Sequence, residues 1–184
     1  MLKFLIALLL SGTAIALGSP RSAIAQEFGL GPAVTRPDAM LTLRGEITPP
    51  QAVNGTDETG RPVFAPAARG AFFLAVDVRA ARGNKNGFGL NEFVPYLTVS
   101  YALKPKAGGE PVQGQLHQLV TRRGLRYGNN VPAPAPGPYT LTLTIEPPIK
   151  AGFGRHTDTE TGAGRWWQPF QVEWIVDAPR VAKP

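Results

Sequence analysis

Cysteine is absent from the 184-residue sequence. This absence excludes disulfide bonds, thiolate metal sites and cysteine nucleophiles, and it also excludes lipidation of an N-terminal cysteine. Serine is scarce too: beyond the first 25 residues only Ser100 remains, and no G-x-S-x-G motif surrounds it. A Ser-His-Asp hydrolase is therefore not expected. We expect a fold that depends on its hydrophobic core.

Other classes of function are excluded by what the sequence has little of. It contains two histidines, His117 and His156, and no P-loop, G-x-G-x-x-G or HExxH motif. Its formal net charge is +6, but the basic residues are scattered apart from one cluster, "TRRGLR" at 121–126. Nucleic-acid-binding proteins concentrate positive charge on one face, so no nucleic acid partner is expected. We expect a binding protein and not an enzyme.

A long hydrophobic run occurs only at the N-terminus. Lys3 precedes the apolar run "FLIALLLSGTAIAL", and "AIA" at 23–25 fits the small-residue pattern before a cleavage point. The run is short for a membrane span. We predict a signal peptide at residues 1–25 and a single domain at residues 26–184. The expected product is a periplasmic protein that is not inserted in the membrane after cleavage.

The rest of the chain has the pattern of β-strands. Apolar and polar residues alternate in "GAFFLAVDVRA", "FVPYLTVSYAL", "YTLTLTI" and "PFQVEWIV", and more weakly in two further segments. Gly, Pro and Asn fill the gaps, and no stretch keeps a helical period for three turns. This pattern predicts an all-β fold, an immunoglobulin-like antiparallel β-sandwich without a disulfide. The predicted strands are 70–80, 93–103, 139–145 and 169–176, with weaker strands at 40–47 and 112–120.

Several motifs occur in a fixed order between Met40 and Trp174: "NKNGFG", "EFVPYLTVSYAL", "YGNNV", "GPYTLTLTIEPP", "GFGRHTDTETG" and "WWQPFQVEW". In this order they resemble the periplasmic iron-transport accessory family, the FetP-type proteins of copper-dependent ferrous-iron uptake. The resemblance implies a β-sandwich that forms a homodimer, with a copper site near the dimer interface. It also implies that the partner is an inner-membrane iron permease or a related component.

The resemblance implies a metal site of histidines, a glutamate and a methionine, a mixture that suits copper or iron. Most of those positions are substituted in this sequence. Phe73 and Ala75 stand where the family has His-x-Glu, Leu119 stands for the methionine, and Arg126 stands for a further histidine. His156, in "GFGRHTD", is the one ligand retained. The family site is therefore not expected in its usual form.

Two interpretations of His156 follow. In one, a reduced site binds copper or iron through His156 and His117, with help from Asp158, Glu160 and Asp77. In the other, His156 is a loop histidine whose ring bonds Asp158, Glu160 or the backbone, because a lone histidine is more often structural than a ligand. The first hypothesis predicts a protein that presents a metal ion to a permease, and the second predicts a metal-free interaction module.

Basic and aromatic residues supply the other candidate surfaces. Arg122, Arg123 and Arg126 could bind an anion or an acidic loop of the permease, or form a solvated turn. Trp166 and Trp167 could form a ligand-stacking platform. Because neighbours in an extended segment point to opposite sides, the alternative is one tryptophan in the core and one at the sandwich edge or a dimer interface.

Overall fold

The computed structural model describes residues 28–132 and 137–178. The predicted signal peptide, residues 1–25, lies outside them. The described residues form nine β-strands and one short 3₁₀-helix, Pro148–Ala151. The strands are β1 (Phe28–Gly29), β2 (Val34–Arg36), β3 (Leu41–Thr48), β4 (Ala71–Ala80), β5 (Thr98–Pro105), β6 (Val112–Thr121), β7 (Gly124–Pro132), β8 (Gly137–Glu146) and β9 (Phe170–Ala178).

All pairings are antiparallel, and the strands follow the order β1-β3-β4-β7-β6-β5-β8-β9, with β2 also paired to β3. Strand β6 connects the two layers. Its first half pairs with β5 from Val112 to Leu116, and its second half pairs with β7 from His117 to Thr121. The predicted immunoglobulin-like β-sandwich is therefore confirmed, with β6 passing from one layer to the other.

The core lies between the layers and follows the predicted alternation. Strands β8 and β9 bury every second residue, including Leu141, Leu143, Val172 and Trp174. On β4 the even-numbered residues from Phe72 to Ala80 belong to the same core cluster. Burial of these side chains, each worth about 1.5–3 kcal/mol, provides the stabilisation that disulfides provide in other exported sandwiches.

Two predictions about strands need correction. The segment predicted as a strand at 93–103 forms one only from Thr98, because Tyr96 has a φ of 60° and breaks the extended backbone. Residues 124–132 form β7, although "GNNVPAPAPGP" reads as a loop. Turn-forming residues occur in this strand because the side chains of Asn129 and Asn130 bond a neighbouring segment instead of their own backbone.

That neighbouring segment is residues 49–70, which connect β3 to β4 and which we call the strap. The strap lies across the outer side of the sheet, where β6 diverges from β7 to join the other layer. No helix in residues 28–132 and 137–178 is long and apolar enough to cross a membrane.

Candidate functional site

The four substituted ligand positions lie together on one side of the sheet. Directly paired residues of antiparallel strands project to the same side. Ala75 pairs with Gly128, which pairs with His117 in the next strand. Phe73 lies two residues from Ala75, and Arg126 pairs with Leu119. All of these positions face away from the core, towards the strap, and we call this side the strap-covered face.

Phe73 and Ala75 fill this face by packing. Each is 1% exposed, yet neither belongs to the core cluster between the layers. The ring of Phe73 lies over Gly128, where a Cβ atom would be 2.6 Å from Phe73 Cζ. Glycine at 128 therefore leaves the space that the phenyl ring occupies. An apolar ring and a methyl group cannot coordinate a metal ion.

Arg126 brings a permanent positive charge to the same face. Its guanidinium Nη1 donates a hydrogen bond to Oε1 of Glu46 on β3, and both side chains are mostly buried. Glu46 is itself paired with Ala75 across β3 and β4. The carboxylate nearest to the substituted positions is thus neutralised by a guanidinium, which remains charged at all accessible pH values.

Asp77 is the other acid on the strap-covered face. Its Oδ2 accepts a hydrogen bond of 2.7 Å from Nε of Arg79, and these two residues form an ion pair. Its Oδ1 is buried without a hydrogen-bond partner in the described part of the chain. Asp77 is therefore engaged within its own strand.

His117 lies in the same face, in the row formed with Ala75 and Gly128. It is half-buried, and its imidazole makes an edge contact with the ring of Phe64 in the strap at 5.5 Å between centroids. Burial lowers the pKa of His117 from its usual value, because desolvation disfavours the charged ring. A neutral imidazole is the form that binds metals, but here it packs against an aromatic ring.

Two adjacent asparagines hold the strap on this face. The Nδ2 group of Asn130 donates to the carbonyls of Gln51 and Ala65 at 2.8 Å, and its Oδ1 accepts from the N–H of Gln51 at 2.9 Å. Asn129 accepts from the N–H of Ala65 at 2.8 Å and donates to the carbonyl of Gln115 at 3.0 Å. Asn130 is 2% exposed, so these bonds are shielded from water. This function was not predicted from the sequence, although the paired amides in "YGNN" were its signal.

His156 lies elsewhere, in the exposed loop of residues 152–169. Its backbone carbonyl accepts a hydrogen bond from Ala163, and its imidazole forms no hydrogen bond within the described residues. Asp158 caps the following turn, since Oδ1 accepts from the N–H groups of Glu160 at 2.8 Å and Thr161 at 3.2 Å, which lower its pKa. Glu160 is exposed. Neither predicted acid bonds the His156 ring.

The proposed reduced metal site is not assembled within one chain as the structure describes it. In residues 28–132 and 137–178, no three His, Asp or Glu side chains are grouped so that they could hold a metal ion. His117 is on the strap-covered face and His156 is in the exposed loop. The donor set of this chain does not fit the metal centre that the resemblance implies, because Phe73, Ala75, Leu119 and Arg126 provide no metal ligand.

The predicted arginine cluster is divided by the structure. Arg122 and Arg123 form the exposed two-residue turn between β6 and β7, whereas Arg126 lies within β7 and bonds Glu46. The tryptophans are also divided, as the core alternative predicts. Trp167 is 7% exposed in the core, and Trp166 packs at the surface between Phe88 and Phe153.

Comparison with known proteins agrees with the sequence resemblance. Residues 41–178 match the family model described as Fe2+ transport protein. A copper-bound variant of FetP from uropathogenic Escherichia coli shares 39% sequence identity with this chain, with a TM-score of 0.73 over 83% of this chain and 97% of that one. Copper-reconstituted P19 from Campylobacter jejuni shares 30% identity, with a TM-score of 0.74 over 86% and 99%.

A curated relative shows the same relationship at the level of sequence. The UPF0423 protein of Brucella abortus is 41% identical over 112 residues, which are 59% of this chain and 62% of that protein. The match thus spans about three-fifths of the curated relative. The family model covers most of the chain, and two solved members of similar fold cover more than four-fifths of it. The chain therefore belongs to the Fe2+ transport protein family.

Proposed function

We propose that this protein is a periplasmic accessory component of ferrous-iron transport that acts by binding a protein partner, without the copper centre of its relatives. The expected partner is an inner-membrane iron permease or a related component, and the protein acts as a homodimer. Residues 1–25 are its export signal. The protein catalyses no reaction. The exposed Arg122 and Arg123 belong to the surface that meets the partner.

The observation that carries this proposal is the ion pair of Arg126 and Glu46. A guanidinium fixed beside the substituted ligand positions repels an incoming metal cation and occupies the carboxylate that could attract one. Phe73 and Ala75 support the same conclusion, because they close the space by apolar packing. The face is stable as it stands and needs no metal to satisfy its charges.

A second candidate function is a reduced copper or iron site, and one observation favours it. His117 lies on the strap-covered face in the same row as Ala75 and Gly128, two residues before Leu119 on β6. A ligand set completed by His156, Asp158 or Glu160 of a second copy would then present the metal to the permease. This candidate requires His117 to leave its contact with Phe64.

Calorimetric titration of the mature protein with Cu(II) and Fe(II) distinguishes the two functions. We expect no saturable binding in the micromolar range, which corresponds to about 8 kcal/mol. The comparison variant combines Arg126→His, Leu119→Met and Ala75→Glu, which restores three family ligands beside His117. We expect this variant to bind Cu(II), provided that its circular dichroism spectrum remains that of a β-sandwich.

Micromolar or tighter binding by the natural sequence would contradict the metal-free proposal. His117→Ala and His156→Ala then locate the site, since loss of binding in both variants identifies the reduced site. Binding that survives both changes would reject the reduced site and the metal-free proposal together.

A further inference from the structure

The second half of β6 leaves one backbone edge open. The two-residue turn at Arg122 and Arg123 makes Thr121 and Gly124 a hydrogen-bonded pair. Every second residue of β6, from Thr121 back to His117, therefore directs its backbone N–H and C=O groups towards β7. Gln118 and Val120 therefore direct their backbone N–H and C=O groups away from β7. On that side β5 pairs only as far as Leu116, and no described strand continues the ladder. Tyr96, just before β5, donates its N–H to the side-chain Oε1 of Gln118 and not to its backbone.

This open edge lacks the usual protection against pairing. Natural sheets guard their edges with lysine, proline or charged side chains. Residues 118–121 contain none of these, and Val120 is 77% exposed. Its cross-strand neighbour Leu125 is 40% exposed, so both apolar side chains lie at the end of the β6–β7 hairpin. Unpaired backbone groups beside exposed apolar side chains favour the addition of another strand.

A groove runs along the same edge, between β6 and the strap. Its volume is about 470 Å³, within the range of about 300–1,000 Å³ that is typical of ligand sites. The lining has no charged side chain, and it combines the amides and hydroxyls of Gln51, Asn54 and Thr56 with the apolar groups of Val53, Val63 and Phe64. A lining of this kind suits an uncharged extended segment and not a metal ion or a phosphate.

Positive charge begins where the groove ends. Arg122 follows Thr121, the last groove residue of β6, and is exposed without a carboxylate partner in the described residues. Asp57, the acid that follows the groove residue Thr56 in the strap, is bonded by Arg61. An occupant that carries a carboxylate at this end would therefore gain a charge-assisted contact.

We infer that the groove and the open edge of β6 bind an extended segment of a partner protein that is uncharged within the groove and acidic at one end. The segment adds as a strand beside Gln118 and Val120 and places a carboxylate next to Arg122. The backbone edge calls for a polypeptide, because only a polypeptide supplies N–H and C=O groups at the spacing of a strand. This inference rests on the proposed function and names the contact through which the partner is bound.

A second copy of this chain fits the edge less well. The same edge of a second molecule offers Gln118, Leu119 and Val120, with no acid to meet Arg122. The strap also lines the groove along this edge. Pairing of two copies through this edge is therefore an alternative outcome of the test.

The test uses two labelled, capped hexapeptides and fluorescence anisotropy on the mature protein. Both peptides alternate threonine and valine over four residues; one ends in two aspartates and the other in two lysines. The decisive variant is Val120→Pro, which removes the outward N–H without removing a bond to β7. The matched control is Ile175→Pro on the edge strand β9. Ile175 is 60% exposed, and its backbone N–H also points away from the neighbouring strand. Gln171, on the same edge, accepts a hydrogen bond at its backbone carbonyl from the side chain of Arg36 on β2, so alternate residues of β9 direct their backbone groups away from β8.

We expect saturable binding of the acidic peptide and weaker binding of the basic one. Val120→Pro should weaken binding of the acidic peptide by about tenfold or more, because the peptide loses a backbone hydrogen bond and meets the proline ring. Ile175→Pro should bind as the natural sequence does. Arg122→Glu should weaken binding of the acidic peptide by about two- to fivefold, the range for an exposed ion pair. It should also make the protein prefer the basic peptide.

Three results would overturn the inference: no saturable binding up to millimolar peptide, equal binding by Val120→Pro, or a dimer in sedimentation that Val120→Pro dissociates while no peptide binds. The last result would assign the edge to a second copy. These outcomes are independent of the metal titration, so failure of the peptide site does not decide whether the protein binds copper.

Discussion

The strap-covered face and the loop of residues 152–169 use their polar side chains in opposite ways. On the strap-covered face, Asn130 is buried and bonds the strap three times, and Arg126 is paired with Glu46. In the loop, His156 and Glu160 are exposed, and Asp158 bonds only its own turn. The face with the predicted ligand positions is held by side-chain contacts to other strands and to the strap, whereas the loop histidine has no side-chain hydrogen bond within the described residues.

This difference shows that a chain can retain one residue of a motif without retaining the site around it. His156 matches the family motif, but a ligand acts only together with other donors at bonding distance. The substituted positions, by contrast, form a consistent packed group with their neighbours. If this comparison is correct, changes on the strap-covered face should affect stability, and equivalent changes in the loop should not.

The largest effect is expected for Asn130→Ala. The change removes three part-buried hydrogen bonds and leaves the N–H and C=O of Gln51 and the C=O of Ala65 without these partners, so it should lower the free energy of unfolding by about 2–4 kcal/mol. Glu160→Ala in the loop is the control and should change it by less than about 0.5 kcal/mol. Urea denaturation measures both, and equal effects would contradict the comparison.

An intermediate effect is expected for Gly128→Ala. The added Cβ would lie 2.6 Å from Phe73 Cζ and 3.1 Å from the carbonyl oxygen of Leu74, so the ring must move. Overpacking of this kind costs about 1–3 kcal/mol. Gly154→Ala in the loop adds a Cβ with no atom within 4 Å and should leave the melting temperature unchanged.

The double variant Gly128→Ala, Phe73→Leu identifies the cause of that cost. A smaller side chain at 73 should recover part of the lost stability if the phenyl ring is the obstacle. Greater loss in the double variant than in Gly128→Ala alone would mean that the backbone contact with Leu74 dominates.

The smallest effect is expected for the pH dependence of stability that His117 contributes. Its pKa is lowered in the folded state, so the unfolded state binds more protons below the ordinary value of about 6.5. Stability from this residue is therefore complete above that pH and declines as the pH falls through it. His117→Gln should show a shallower loss of stability between pH 7 and 5. His156→Gln, in the exposed loop, should retain the steeper loss; a reversed order would contradict the contrast between the two histidines.

Much of the fold could be predicted from the sequence, because the alternation of apolar and polar residues along a strand indicates which side chains are buried. Val99, Tyr101 and Leu103 on β5, and Val172 and Trp174 on β9, are buried as predicted. Strand β7 could not be predicted in this way. Its Gly128, Asn129 and Asn130 suggest a turn, and they form a strand only because the strap and the ring of Phe73 occupy the space beside them.

The candidate site was predicted less completely than the fold. The resemblance pointed to the positions Phe73, Ala75, Leu119 and Arg126, and the strands bring these four residues together on one face. It did not reveal Glu46 as the partner of Arg126, since the two are far apart in sequence and neither belongs to a shared motif. The open edge at Gln118 and Val120 was also invisible, because its existence depends on where β5 stops pairing.

The sequence by itself determined the all-β class, the absence of disulfide bonds and the membership of a ferrous-iron transport family, and it placed apolar or cationic residues at most of the ligand positions that the resemblance implies. These features depend on residue identity and local periodicity, which need no knowledge of distant neighbours. Only the tertiary structure decided that Arg126 neutralises Glu46, that Asn129 and Asn130 hold the strap over the substituted positions, and that β6 exposes a backbone edge. Each of these depends on contacts between residues distant in sequence, and such contacts exist only after the strands have paired.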